Sequence, residues 1–491
     1  MTARSASLTL PPPVTTSPQD RAYWLDTTVP EFGEDLPALA GDIDAGIAII
    51  GGGLTGLWTA YRITELDPTA DVVVLEAEVC GAGASGRNGG QVHSWCESLD
   101  RLEAVVGAAE AVRLARASVE AIEELAALQQ DGLDMDLRLD GWVWGASSRA
   151  QEGAWNAAVA RSRAAGLDVY TELDAAQMLA RTGTSSSYQG VVEERAGSLH
   201  PGKLVRGLRR ILLERGVRIH ERTPVTAIGP GPRPRLTTPA GSVRAQKVLL
   251  ATNAWAAAIP EINRFTYAVE SQVIVTAPIP DRLDALGLKN GASICDSQQQ
   301  VLYYQRTVDG RLLLGRGTGH PVYRGNLTAR SNRNPALVEG TRAELVRLYP
   351  SLADVPISYD WVGAIDCVAT HVPVIGTLQQ HPDVHYCVGW NGTALAQIPV
   401  GSRILASVLL GIDDEWGRSR LAGARPVPVV PEPVRFIGAQ VVRAAIVRRN
   451  ALEIRNRPVD PVTRALTSLM PSPEHVPEET PHPDPVPETH R

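Results

Sequence analysis

Ile47-Ala48-Ile49-Ile50-Gly51-Gly52-Gly53-Leu54-Thr55-Gly56 decides the fold. The four apolar residues read as a buried strand, and the stretch after Gly56, through Trp58, Ala60 and Tyr61, reads as a helix. Each glycine between them has a task. Gly51 permits a tight turn, Gly53 lets backbone approach a pyrophosphate, and Gly56 lets helix and strand pack closely. Unpaired N–H groups and the helix dipole then favour negative charge at Leu54 and Thr55. A second apolar strand, Val72-Val73-Val74-Leu75, ends in Glu76-Ala77, and Glu76 stands twenty residues after Gly56. An acid at that distance binds ribose hydroxyls, and an acid rather than an arginine disfavours a 2′-phosphate. Strand, glycine turn, helix and strand make an α/β unit with a parallel sheet.

The following segment, Gly81-Ala82-Gly83-Ala84-Ser85-Gly86-Arg87-Asn88-Gly89-Gly90-Gln91, is a second glycine-rich run. Its small residues let backbone lie against a cofactor that continues past its pyrophosphate toward a planar ring, which favours FAD over NAD. The bland alternative for the run alone is a mobile surface loop.

At 491 residues the chain exceeds the size at which one core keeps growing, so more than one domain is expected. Hydrophobic residues at 44% and charged residues at 21% suit an ordinary globular protein, and a net charge of −7 gives no reason to expect nucleic acid. Lysine occurs only at 203, 247 and 289. The five cysteines are odd in number and form no C-x-x-C pair, so neither a disulfide framework nor a metal site is expected. With no signal-peptide pattern and no spanning apolar run, the expected location is cytoplasmic.

Residues 1–20 read as a disordered leader and Pro471–Arg491, rich in proline and glutamate, as a disordered tail. Between them, 102–129 and 203–215 have helical periodicity, and the region 267–315 turns to β-rich runs such as Gln272–Val275 and Val301–Tyr304. A last strand, turn and helix spans 386–410.

The landmarks from Tyr23 to Gly411 resemble the D-amino-acid-oxidase-like family of FAD-dependent oxidoreductases, within it the gamma-glutamylputrescine oxidoreductase branch. They are the run from Gly83 to Gln91, His200–Val205, Ala251-Thr252-Asn253-Ala254-Trp255, Asp309-Gly310-Arg311, Trp361-Val362-Gly363 and Pro373–Gly376. The resemblance implies a three-layer Rossmann-like FAD domain (21–100, 190–265 and 355–412) interleaved with an α+β substrate domain built on a mixed β-sheet (101–189 and 266–354). It implies contacts to FAD from Val225, from Ala251, Thr252 and Asn253, and from Trp390, Gly392, Thr393, Ala394 and Leu395. The branch's closing glycine-histidine-glycine pattern is replaced here by Gly389-Trp390-Asn391-Gly392-Thr393-Ala394. Sarcosine oxidases in the family attach flavin through a late cysteine. Cys367 is offset from that position by a few residues, so FAD is expected to be non-covalent.

The implied reaction oxidises the C–N bond of a small amine or amino acid by hydride transfer to flavin, with O2 or another acceptor reoxidising it. The protein's part is binding and orientation. Candidates for contact with substrate are His93 and Gln91 just past the glycine run, Tyr304 (with Tyr303 or Trp390) as an aromatic cage, and Arg306 as a carboxylate ligand. Core packing and surface ion pairs compete with each of these roles. Other classes stay open: a flavin hydroxylase, an NAD-dependent dehydrogenase, and an FAD-binding scaffold without turnover.

A C-terminal extension (413–470) follows, with a proline-rich stretch at 426–433 and then an arginine-rich helix. Seven arginines stand against three acids between Glu432 and Met470, around a stripe of Val434, Ile437, Val441 and Ala445. The stripe docks on the enzyme's own body or on anionic membrane; its lack of Trp and Leu anchors favours the body.

Overall fold

A computed structural model describes residues 7–15, 17, 20–29 and 36–470. Two large sheets organise it. In the first, Gly41–Ile50 lies in parallel between Gly241–Leu250 and Val72–Leu75, and Arg218–His220 extends the parallel set. His381–Val388 joins Gly241–Leu250 in parallel and carries Val374–Leu378 as an antiparallel partner. The fingerprint helix, Leu54–Leu66, packs with Gln397–Leu410 and Pro201–Glu214 on one face of this sheet. Trp58 is fully buried there. The parallel strands are apolar on both faces because both are covered.

The second sheet runs in the order Ile357–Val368, Thr266–Thr276, Leu312–Val322, Leu302–Arg306, Ser293–Asp296, Trp142–Gly145, Gly190–Glu193 and Tyr170–Leu173. Every pairing is antiparallel except Ser293–Asp296 with Trp142–Gly145. The molecule is thus α/β with a mixed second sheet, as the sequence implies.

Several details differ from expectation. Residues 7–15 do not form a free leader. Leu8–Thr9 pairs with Ala227–Ile228 as an edge strand, and Leu10 N–H donates to Thr226 O. Residues 1–6 and the tail from 471 lie outside the described residues. Gly107, at φ +83°, divides the long helix into Leu99–Val106 and Ala108–Gln130. The second of these joins the nucleotide-binding layer through Glu124, which pairs with Arg62 and Arg403. The expected boundaries at 190 and 355 fall too early, because Gly190–Glu193 and Ile357–Val368 belong to the second sheet.

Candidate active site

The fingerprint turn has little spare room. Gly51 holds φ +112°, and a Cβ there would lie 2.5 Å from Ala251 O. Gly56 sits against Ile49 and the Gly51 carbonyl, the close helix–strand contact expected of it. At Gly53 a Cβ would meet the Ser85 side chain, its hydroxyl 2.9 Å away. Leu54 N–H donates to that hydroxyl at 2.8 Å, so Ser85 ties the second glycine run to the helix N-terminus. Glu76 accepts from Gly52 N–H at 2.7 Å and from Glu78 N–H at 2.9 Å. Loss of solvent pushes its pKa up to about 7 despite those bonds.

The run from Gly81 to Gln91 is a braced loop rather than a mobile one. Trp24 Nε1–H and Trp361 Nε1–H donate to the carbonyls of Asn88 and Arg87, each at 2.8 Å. Arg87 is buried and donates to the carbonyls of Ala82, Asn332 and Val362. Burial lowers its pKa to about 10. Its role is to hold the loop. Gly90, at φ +71°, packs on Leu199 O.

One cavity of about 1330 Å³ connects these parts, larger than the roughly 300–1,000 Å³ of ordinary small-ligand pockets. Its wall begins at Gly51, Gly53, Leu54, Thr55, Glu76, Ala77 and Val225, with Leu10, Pro11 and Pro13 of the N-terminal segment. It continues past Gly83, Ala84, Ser85, Arg87, Asn88, Gly89, Ala251, Thr252 and Asn253 to Trp390, Gly392, Thr393, Ala394 and Leu395. Gly56 and Gly90 stand behind the wall. At the wall, Asn253 Oδ1, Trp255 Nε1 and Trp390 Nε1 are buried with no hydrogen-bond partner among the described residues. Such orphaned groups are expected where a polar ligand completes the site. A long groove with a glycine-lined entrance, a helix N-terminus and these waiting polar atoms fits FAD.

Asp366 is the group that sequence reasoning missed. It is fully buried in the cavity wall, accepting from Gly389 N–H at 2.6 Å and from Asn253 Nδ2 at 2.8 Å. It thereby couples the Ala251–Asn253 turn to the loop beginning at Gly389. Burial pushes its pKa up to about 7. Its neighbour Cys367 also lines the cavity, with a thiol held well above its usual range by burial.

The four substrate candidates separate. His93 lines the cavity, stacked on Trp142 with centroids 4.3 Å apart, and burial lowers its pKa, which keeps the imidazole neutral. Gln91 also reaches the wall, but its amide is engaged by Ile294 O and Trp142 Nε1–H, so it positions Trp142. Tyr304 points the other way, into the core beneath the second sheet, edge-on to Tyr349. Strand alternation gives the cavity to Tyr303, whose hydroxyl meets Ser271 Oγ at 3.1 Å and whose ring lies over Gly89. Arg306 is outside the cavity, bound to Asp284 and to Leu288 O. The arginines that do line it are Arg87, Arg101, Arg435 and Arg443.

With this geometry in hand, the chain belongs to the FAD dependent oxidoreductase family, which it matches over residues 46–408. It is 28% identical over 403 residues to the probable oxidoreductase OrdL of Haemophilus influenzae, covering 80% of this chain and 89% of that one. It is 29% identical over 375 residues to the gamma-glutamylputrescine oxidoreductase of Escherichia coli, covering 75% and 84%. Among solved structures, the L-proline dehydrogenase of P. horikoshii superposes with a TM-score of 0.64 at 16% identity, covering 77% of this chain and 96% of that one. Glycine oxidase of Bacillus cereus gives 0.63 at 18%, covering 79% and 100%. The protein is an FAD-dependent oxidoreductase, which sets aside the NAD-dependent reading.

Proposed function

We propose that this enzyme oxidises the C–N bond of a small amine or amino acid, with FAD bound non-covalently. Support comes from the continuity of one cavity, from the Gly53–Thr55 helix start past Gly83–Gly89 to the pocket bounded by His93, Trp142 and Tyr303. The amine and amino-acid substrates in the names of similar proteins agree with it. Bound FAD supplies a hydride acceptor. The helix N-terminus and Ser85 hold the pyrophosphate, Glu76 the ribose, and the amides from Gly392 to Leu395 the pyrimidine end of the ring. Trp142, Tyr303 and Trp390 exclude water. His93 stays uncharged beside the substrate nitrogen and leaves the amine free of a competing cation. Arg101, which has no ion-pair partner among the described residues, lines the same cavity and binds a substrate carboxylate. The raised pKa of the Cys367 thiol leaves little thiolate to attack a flavin, which favours non-covalent binding.

The test is anaerobic bleaching of the flavin band by polyamines, their glutamyl conjugates, N-methyl amino acids and simple amino acids. At least one should reduce the flavin, and Arg101→Gln should raise KM for a carboxylated substrate by roughly tenfold or more while kcat changes little. A flavin that no amine or amino acid bleaches would sink the reading.

A further inference from the structure

The extension lies beyond the family span at 408, and its long helix, Val434–Ile454, buries Ala445, Ile446, Asn450 and Glu453. The packed face carries Arg435, Ala439, Val442, Ile446 and Asn450. Arg435 donates to Asn263 O and Thr266 O, and Ile446 and Asn450 are buried. The opposite face, at helical spacing, reads Val434, Ile437, Val441, Ala444, Arg448, Ala451 and Arg455, all exposed. It is aliphatic in its first half and cationic in its second.

This exposure is concentrated. Of thirteen large apolar side chains exposed among the described residues, seven lie between 430 and 469. Tyr323, also exposed, stands edge-on to Phe436 at 5.4 Å, on the packed side of the helix. Monomeric proteins rarely leave such patches uncovered without a partner. Charge selects among partners. The segment 432–470 has seven arginines against three acids in a chain of net −7, and Arg455 and Arg457 are exposed with no ion pair among the described residues. A second copy would set like charge against like charge. The sequence from 471 to 491 offers only Val476 and Val486 as aliphatic side chains.

We propose that this outer face is a docking surface for an anionic lipid surface, with the aliphatic half entering the headgroup boundary and Arg455 and Arg457 meeting lipid phosphates, while Arg448 is held by Asp460. Val434 and Val441 also line the cavity, so docking places part of its wall against the lipid. The full-length flavoprotein should pellet with vesicles of equal phosphatidylglycerol and phosphatidylcholine, and not with phosphatidylcholine alone. Ile437→Glu with Ala444→Glu, and separately Arg455→Gln with Arg457→Gln, should each weaken binding by roughly tenfold or more at unchanged flavin content and Tm. Failure of the wild type to pellet, or pelleting indifferent to both pairs, overturns the proposal. So does a dimer in sedimentation equilibrium that Ile437→Glu with Ala444→Glu dissociates.

Discussion

Gly51 and Gly53 stand two residues apart and should fail in different ways when substituted. Gly51→Ala forces a side chain onto a left-handed backbone and against Ala251 O, costing roughly 1–3 kcal/mol of stability; calorimetry of the flavin-free protein reads it. Gly53→Val should abolish flavin retention through gel filtration, because its side chain crowds the Ser85 hydroxyl at the cavity wall beside the helix N-terminus. Asp366→Ala strands the Gly389 amide and the Asn253 carboxamide, and should lower stability by about 2–4 kcal/mol. Glu76 was legible because its distance from the fingerprint is set by one helix and one strand. Asp366 was not, because its partners are 23 and 113 residues away. The choice between Tyr303 and Tyr304 hung on strand phase, which neighbouring aromatics do not reveal.

At the scale of elements, the C-terminal helix shows what periodicity leaves open. Its existence follows from the proline stretch and the apolar repeat, but not its end at Ile454 nor the second short helix, Pro461–Thr467. The inward face does not, since Phe436, Ala439, Val442 and Ile446 repeat at the same spacing as the stripe at Val434, Ile437 and Val441. The stripe expected to dock is the one left outside, apart from Ala445. What decides is Arg435, paired with Glu432 and donating to Asn263 O, at the end of a short helix, and to Thr266 O, at the start of a strand of the second sheet. Arg435→Ala should lower stability by roughly 2–3 kcal/mol and open the extension to limited proteolysis before the core. Equal protection of extension and core would contradict that.

For the whole molecule, three desolvated carboxyls, Glu76, Glu193 and Asp366, have pKa values raised to about 7. The folded chain therefore holds protons that the unfolded chain has released. Their stabilisation is full below the ordinary carboxylate range near 4 and is lost as pH rises through about 7. Histidines with lowered pKa values, such as His93 and His200, act in the opposite sense below about 6.5. A difference measurement separates the two. In flavin-stripped protein, Asp366→Asn lacks the titrating group, so the Tm of the wild type relative to this variant should fall between about pH 4 and 7 and level off above. A constant gap would contradict the raised pKa. The interleaving of two domains was legible from the order of motifs. The boundaries at 190 and 355 were not, since strands at those points join whichever sheet the chain's return path reaches.

That interleaving also bears on how the protein is made. Gly41–Ile50 leaves the ribosome early, yet one neighbour in its sheet, Gly241–Leu250, is translated about two hundred residues later, and that strand's own partner, His381–Val388, later still. At roughly 5–20 residues per second, the nascent fingerprint waits tens of seconds with an apolar edge unpaired. Chaperone capture and inclusion-body formation should therefore depend on translation speed between residues 50 and 388 more than on the stability of the finished fold.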